Sequence, residues 1–197
     1  MKKKTFVLLL ALVLIAGAAV GGTLAWLTAK SDTVVNTFTT SDIEITLAET
    51  TAAYKMIPGC TIAKDPKVTV KAGSEKCYLF VKIEELNSFS SFMTYTVAAG
   101  WTALNDADSD GVADDGVYYR VVEASNQNQV FYVLKGDTTY PNGLVTVKDT
   151  VTKADMNGLT ESTYPTLTFT AYASQFSKNN TESFTAAEAW TNVQPTT

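Results

Sequence analysis

Thr166-Leu167-Thr168-Phe169-Thr170-Ala171-Tyr172-Ala173 sets Leu167, Phe169 and Ala171 on one side of an extended chain and threonines on the other. A period of two is that of a strand with one face buried. The same period recurs upstream. Ile43, Ile45 and Leu47 alternate with Asp42, Glu44 and Thr46, and Val68 and Val70 alternate with Lys67, Thr69 and Lys71. Beyond the turn residues Ala72-Gly73-Ser74, Tyr78, Phe80 and Val81 to Ile83 form a return strand, so residues 67–84 read as a hairpin. Further strands are expected over Thr94 to Leu104, Val117 to Val122, Val130 to Leu134 and Leu144 to Val147.

Turn signals punctuate these runs: Pro58-Gly59, Lys64-Asp65-Pro66 and Pro141-Asn142-Gly143. Three short helices fit between them. Phe89, Phe92 and Met93 sit at helical spacing behind Asn87 or Ser88 as a cap, and Thr152 to Leu159 has helical composition with Gly158 near its end. Thr185-Ala186-Ala187-Glu188 is a capping box, after which Trp190 and Val193 anchor a last helix. Short, regularly spaced strands with few helices predict an all-β, antiparallel sandwich of jelly-roll-like type.

The N-terminus reads differently. Lys2, Lys3 and Lys4 precede an uncharged run from Phe6 to Val20, then Gly21-Gly22 and the small residues of Thr23-Leu24-Ala25. A cationic head, an apolar core and a small-residue exit are the parts of a helical secretory signal peptide, with cleavage expected between Ala25 and Trp26. The competing reading is an uncleaved anchor, but the run falls short of the roughly twenty residues of a spanning helix. The expected organisation is a signal peptide at 1–25, an N-terminal segment at 26–40 and one domain at 41–197. The chain ends Gln194-Pro195-Thr196-Thr197, without a sorting motif or basic tail, so surface retention is expected to depend on assembly or on an uncleaved signal.

Loss of the signal takes three lysines, moving the net charge from −5 to about −8, a balance that repels nucleic acid and anionic lipid. No small-molecule substrate is evident. There is no histidine, which excludes a histidine-ligated zinc site, a Ser-His-Asp triad and a Cys-His pair. Cys60 and Cys77 permit one disulfide in an exported protein, and equally two separate thiols.

One segment carries site chemistry. In Asn105-Asp106-Ala107-Asp108-Ser109-Asp110-Gly111-Val112-Ala113-Asp114-Asp115, oxygen ligands alternate and a glycine follows. Asp106, Asp108 and Asp110 fill positions one, three and five of a calcium loop, Gly111 position six, Val112 the backbone-carbonyl position seven, and Asp114 position nine. The glutamate of position twelve is replaced by Val117, so Asp114 or Asp115 would have to close the loop. The same composition suits a solvated hairpin loop, since Asp and Gly are ordinary turn residues. A structural Ca²⁺ ion is the only cofactor expected.

Taken together, Gly22-Thr23-Leu24-Ala25-Trp26-Leu27-Thr28, Asn36-Thr37-Phe38-Thr39 and Ile43-Glu44-Ile45-Thr46-Leu47 resemble the start of the TasA/camelysin family of exported Firmicutes proteins, which are processed by the signal peptidase SipW. The similarity continues in Pro58-Gly59, Lys64-Asp65-Pro66, Val68-Thr69-Val70, Cys77-Tyr78-Leu79-Phe80-Val81-Lys82, Gly100-Trp101, Val117-Tyr118-Tyr119-Arg120 and Leu167 to Ala173. The resemblance implies a jelly-roll subunit of biofilm matrix fibres, secreted to the matrix or surface of a Gram-positive bacterium. In such fibres the segment freed by signal cleavage enters a neighbour's sheet. Here the donor would be Trp26 to about Phe38, with Trp26, Leu27, Val34, Val35 and Phe38 filling pockets. The competing reading has that segment completing its own sheet. The metallopeptidase label of camelysin-type relatives does not carry over, because the chain has no His-Glu-x-x-His segment. A monomeric surface-binding module or adhesin, stabilised by calcium, is the second class of function.

Overall fold

The computed structural model describes residues 42–50 and 55–194. The signal cleavage site at Ala25 and Trp26 and the expected donor residues Leu27, Val34, Val35 and Phe38 lie outside them. In chain order the described strands are β1 (Ile45–Ala48), β2 (Thr61–Ala63), β3 (Lys67–Val70), β4 (Cys77–Leu86), β5 (Met93–Thr94), β6 (Thr102–Ala103), β7 (Val117–Val122), β8 (Gln129–Tyr132), β9 (Leu144–Val147) and β10 (Thr166–Gln175). The helices are α1 (Phe89–Phe92), α2 (Lys153–Asn157) and α3 (Ala186–Thr191).

Every strand pairing is antiparallel, and the strands form a sandwich. One layer has the order β10-β4-β7-β6. The other is assembled from two three-stranded pieces, β1-β3-β8 and β2-β9-β5. Backbone hydrogen bonds carry each pairing toward the other piece: the N–H of Lys64 donates to Gly143, extending β2–β9, and that of Val133 to Pro66, extending β3–β8, at 3.0 and 2.9 Å, while β2 and β3 follow each other directly in the chain. A bridge between Val97 and Leu134 extends the line of β5 in the same way. The strands β8 and β9 therefore lie end to end in one row, and residues 135–143 leave that row and return to it. Gly143 takes φ +133° where the loop rejoins, and a side chain there would collide with the carbonyl of Lys64.

Cys77 to Val81 in β4 are buried without alternation because that strand is covered on both faces. Leu79, Val81 and Ile83 meet Val68, Val70 and Val145 of the opposite layer in the main core. Tyr78 and Phe80 point the other way, onto Val117, Ala189 and Trp190. The helix α3 thus forms a third layer, with the Trp190 ring 5.3 Å from Phe80 and edge-on to Tyr172 at 5.1 Å.

The expected capping box is present, and a second, not expected, caps α2. Thr185 caps α3 with Glu188, and Thr152 caps α2 with Asp155. At α1 the cap differs from expectation. Ser88 precedes the helix in the left-handed region at φ 56° and its hydroxyl makes no capping bond.

Two expectations are corrected. Residues 67–84 are not a hairpin: β3 pairs with β1 and β8, while β4 pairs with β10 and β7. The turn at Gly73 carries the chain from one layer to the other. Residues 94–104 are not one strand, because a turn at Gly100 (φ +88°) separates the bridge residue Val97 from β6, which lies in the other layer.

Candidate functional site

The aspartate loop leaves β6 and returns at β7, and the backbone closes its base with the N–H of Asp114 on the carbonyl of Asn105 at 2.8 Å. Inside, Asp106 accepts the N–H groups of Asp110 and Gly111, both at 3.0 Å. Asp108 accepts from Asp110, and Asp110 from Val112 at 2.7 Å. These are side-chain-to-backbone turns of the kind short acidic residues form. Ser109 (φ 62°) and Gly111 (φ 82°) supply the left-handed steps that coil the loop.

The coil brings Asp106, Asp108 and Asp110 together, with one carboxylate oxygen of each within 4.8 Å of the other two. Hard cations are held by such oxygen sets, and three anionic groups this close repel one another without one. Val112 lies on the loop's exposed side. Asp114 does not join the cluster. Its carboxylate turns back to accept the N–H of Ala107 at 2.9 Å, and Asp115 accepts that of Val117 at 3.0 Å. These two bonds brace the loop, so the ligand set visible here is three carboxylates and not four. The loop is anchored from below: Ala113 is buried, and its N–H donates to the Tyr118 phenol oxygen at 3.0 Å. Burial raises the Tyr118 hydroxyl above its ordinary range.

Cys60 and Cys77 are both free thiols, so the disulfide permitted by the sequence is not formed. Cys77 sits in β4 opposite Val122 and Gln175, inside the four-stranded layer. Cys60 is exposed just before β2, a strand of the other layer. Burial pushes the Cys77 thiol up to about 11.

Two features were not anticipated. The first is a cleft of about 740 Å³ at one open side of the sandwich, lined by Met56, Ile62, Phe89, Met93, Met156 and Leu167 among others. It lies between β2 and the start of β10. Along its full length, β10 is hydrogen-bonded on one edge only among the described residues, to β4. Methionines scattered at 56, 93 and 156 have no common period, so no local pattern announces their meeting. The second is Arg120, which lies against Phe131 and Trp101 with its guanidinium carbon 3.9 and 5.5 Å from the ring centres. A residue count would have singled it out, since it is the chain's one arginine.

No protein-family model, curated protein or solved structure matches this chain.

Proposed function

We propose that the protein is a secreted structural subunit of extracellular matrix fibres, without enzymatic activity, that assembles by taking up the N-terminal segment of a neighbouring copy. The observation that carries this reading is the open side of the sandwich. There β10 offers ten residues of strand edge, and a largely apolar cleft opens at its start, beside Thr166 and Leu167. Sheet edges are templates for an added strand, in which backbone bonding supplies affinity and pockets for alternate side chains supply selectivity. The donor in this reading is Trp26 to Phe38, whose apolar residues Trp26, Leu27, Val34, Val35 and Phe38 would fill the cleft. Export by the N-terminal signal with cleavage after Ala25 would free that segment, in keeping with the resemblance to the TasA/camelysin family.

The deciding experiment compares the processed protein with a form lacking residues 26–38 by electron microscopy. Filaments that vanish on deletion, and return when a peptide of residues 26–38 is fused to another copy, are the expected result. A folded monomer at every concentration, indifferent to the deletion, would overturn the reading.

A second role is favoured by the clustered carboxylates of Asp106, Asp108 and Asp110. They would hold one calcium ion at extracellular concentrations and stiffen the loop, whether the domain works in a fibre or as a monomeric surface-binding module.

A further inference from the structure

The chain carries fourteen lysines and a single arginine, Arg120. It projects from β7 on the same side as Tyr118 and Val122, two residues of the main core. Its guanidinium carbon lies 3.9 Å from the centre of the Phe131 ring and 5.5 Å from that of Trp101. Gly100 forms a third wall. A β-carbon at Gly100 would lie 3.3 Å from Nη2, so the glycine's bare backbone leaves the guanidinium its room. Trp101 is itself fixed, its indole N–H donating to the carbonyl of Tyr132 at 2.9 Å. The cage is therefore shaped for a flat cation, which a lysine's ammonium is not.

What the cage lacks is an acceptor. Among the described residues the Arg120 side chain makes no ion pair and no hydrogen bond, while the four ion pairs found there all use lysine. Its Nε is enclosed with no partner. Unlike Nε, the two terminal nitrogens keep some access to solvent, and the half-buried side chain lies between two aromatic walls. A guanidinium stripped of part of its water and left unpaired is costly, and its fixed pair of parallel N–H donors matches the two oxygens of a carboxylate.

We infer that Arg120, clamped by Phe131, Trp101 and Gly100, is a binding point for a carboxylate received end-on by Nη1 and Nη2. The carboxylate comes either from an aspartate or glutamate of a second copy or from a small free acid. The surface of this acidic chain offers many of the former, and the five aspartates at 106–115 form no ion pair with a lysine or arginine among the described residues.

Because the arginine is unique, labelling with ¹⁵N-arginine gives one side-chain Nε–H signal in an NMR spectrum. The protein is titrated with sodium acetate against sodium chloride at equal ionic strength, and separately concentrated in chloride alone. A saturable shift with acetate assigns a free acid as a competent ligand. A shift with protein concentration that acetate reverses assigns the side chain of a second copy. A signal that responds to acetate only as it does to chloride, and not to concentration, overturns the proposal. Arg120→Lys keeps the charge and loses the flat fork. In that variant the acetate-induced shift of the Trp101 indole signal should fall at least fivefold while the circular dichroism spectrum is unchanged. Retention of the Trp101 response in a folded variant would equally sink the assignment.

Discussion

The backbone N–H of Ala113 donates to the phenol oxygen of Tyr118, 3.0 Å away and out of reach of solvent. This bond ties the closing end of the aspartate loop to a core residue of β7. Tyr118→Phe removes the acceptor and leaves a buried donor unpaired, at a cost of about 1–3 kcal/mol. Chemical denaturation should show that loss, and hydrogen exchange should show faster exchange at Ala113 with little change in β4.

Calcium should bind the loop with measurable heat in titration calorimetry and raise the melting temperature. Asp108→Ala with Asp110→Ala removes two of the three clustered carboxylates and should abolish both effects. Asp114→Ala should instead lower stability in the presence or absence of calcium, because Asp114 serves the N–H of Ala107. A wild type without heat or thermal shift would refute the cation role.

Phe80 is fully buried between β4 and α3. Phe80→Ala should cost about 3–5 kcal/mol in denaturant unfolding. It should also unseat Trp190, whose ring stands 5.3 Å from that of Phe80, shifting its fluorescence to the red.

Acid should loosen α3. The hydrogen bond from Lys178, together with those from Thr185, holds the Glu188 carboxyl down at about 2. A carboxyl lowered in the folded state stabilises it above the unfolded value near 4.5, and that contribution fades as pH falls toward 2. Near-ultraviolet circular dichroism of the Trp190 environment should decline across that window in the wild type, and Glu188→Gln should flatten the decline.

The two thiols should separate cleanly in reactivity. Cys60 is exposed and should react with a thiol reagent in the native protein, whereas Cys77 is buried and its thiol is pushed up to about 11. Mass spectrometry should find one label per chain under native conditions and two in denaturant.

Much of the architecture is written in local pattern. Val117 to Val122, Leu144 to Val147 and the long run from Thr166 were legible because alternation reports which face is buried. Thr185 was legible as a cap because a capping box involves only neighbours in sequence, whereas the equivalent box at Thr152 with Asp155 went unread. Alternation does not say which strand lies alongside. Val68 and Val70 point into the same core as Leu79 and Val81, yet from opposite layers, so a hairpin and a layer change predict the same pattern. Ser88 failed as a cap because its backbone is left-handed, a conformation that serine does not advertise. The aspartate cluster was readable since its members sit within five positions. Arg120 could be singled out only as the one arginine; its cage joins residues from 100, 101 and 131, which only the folded layers bring together.

The excursion at residues 135–143 departs from the row shared by β8 and β9 and comes back to the same line. Sheet registration on either side is thereby decoupled from how much chain lies between. Its residues Asp137 to Thr139 are exposed. That stretch is a natural graft point, where a foreign epitope or enzyme tag could be spliced in and, if subunits polymerise, displayed at every repeat along the fibre.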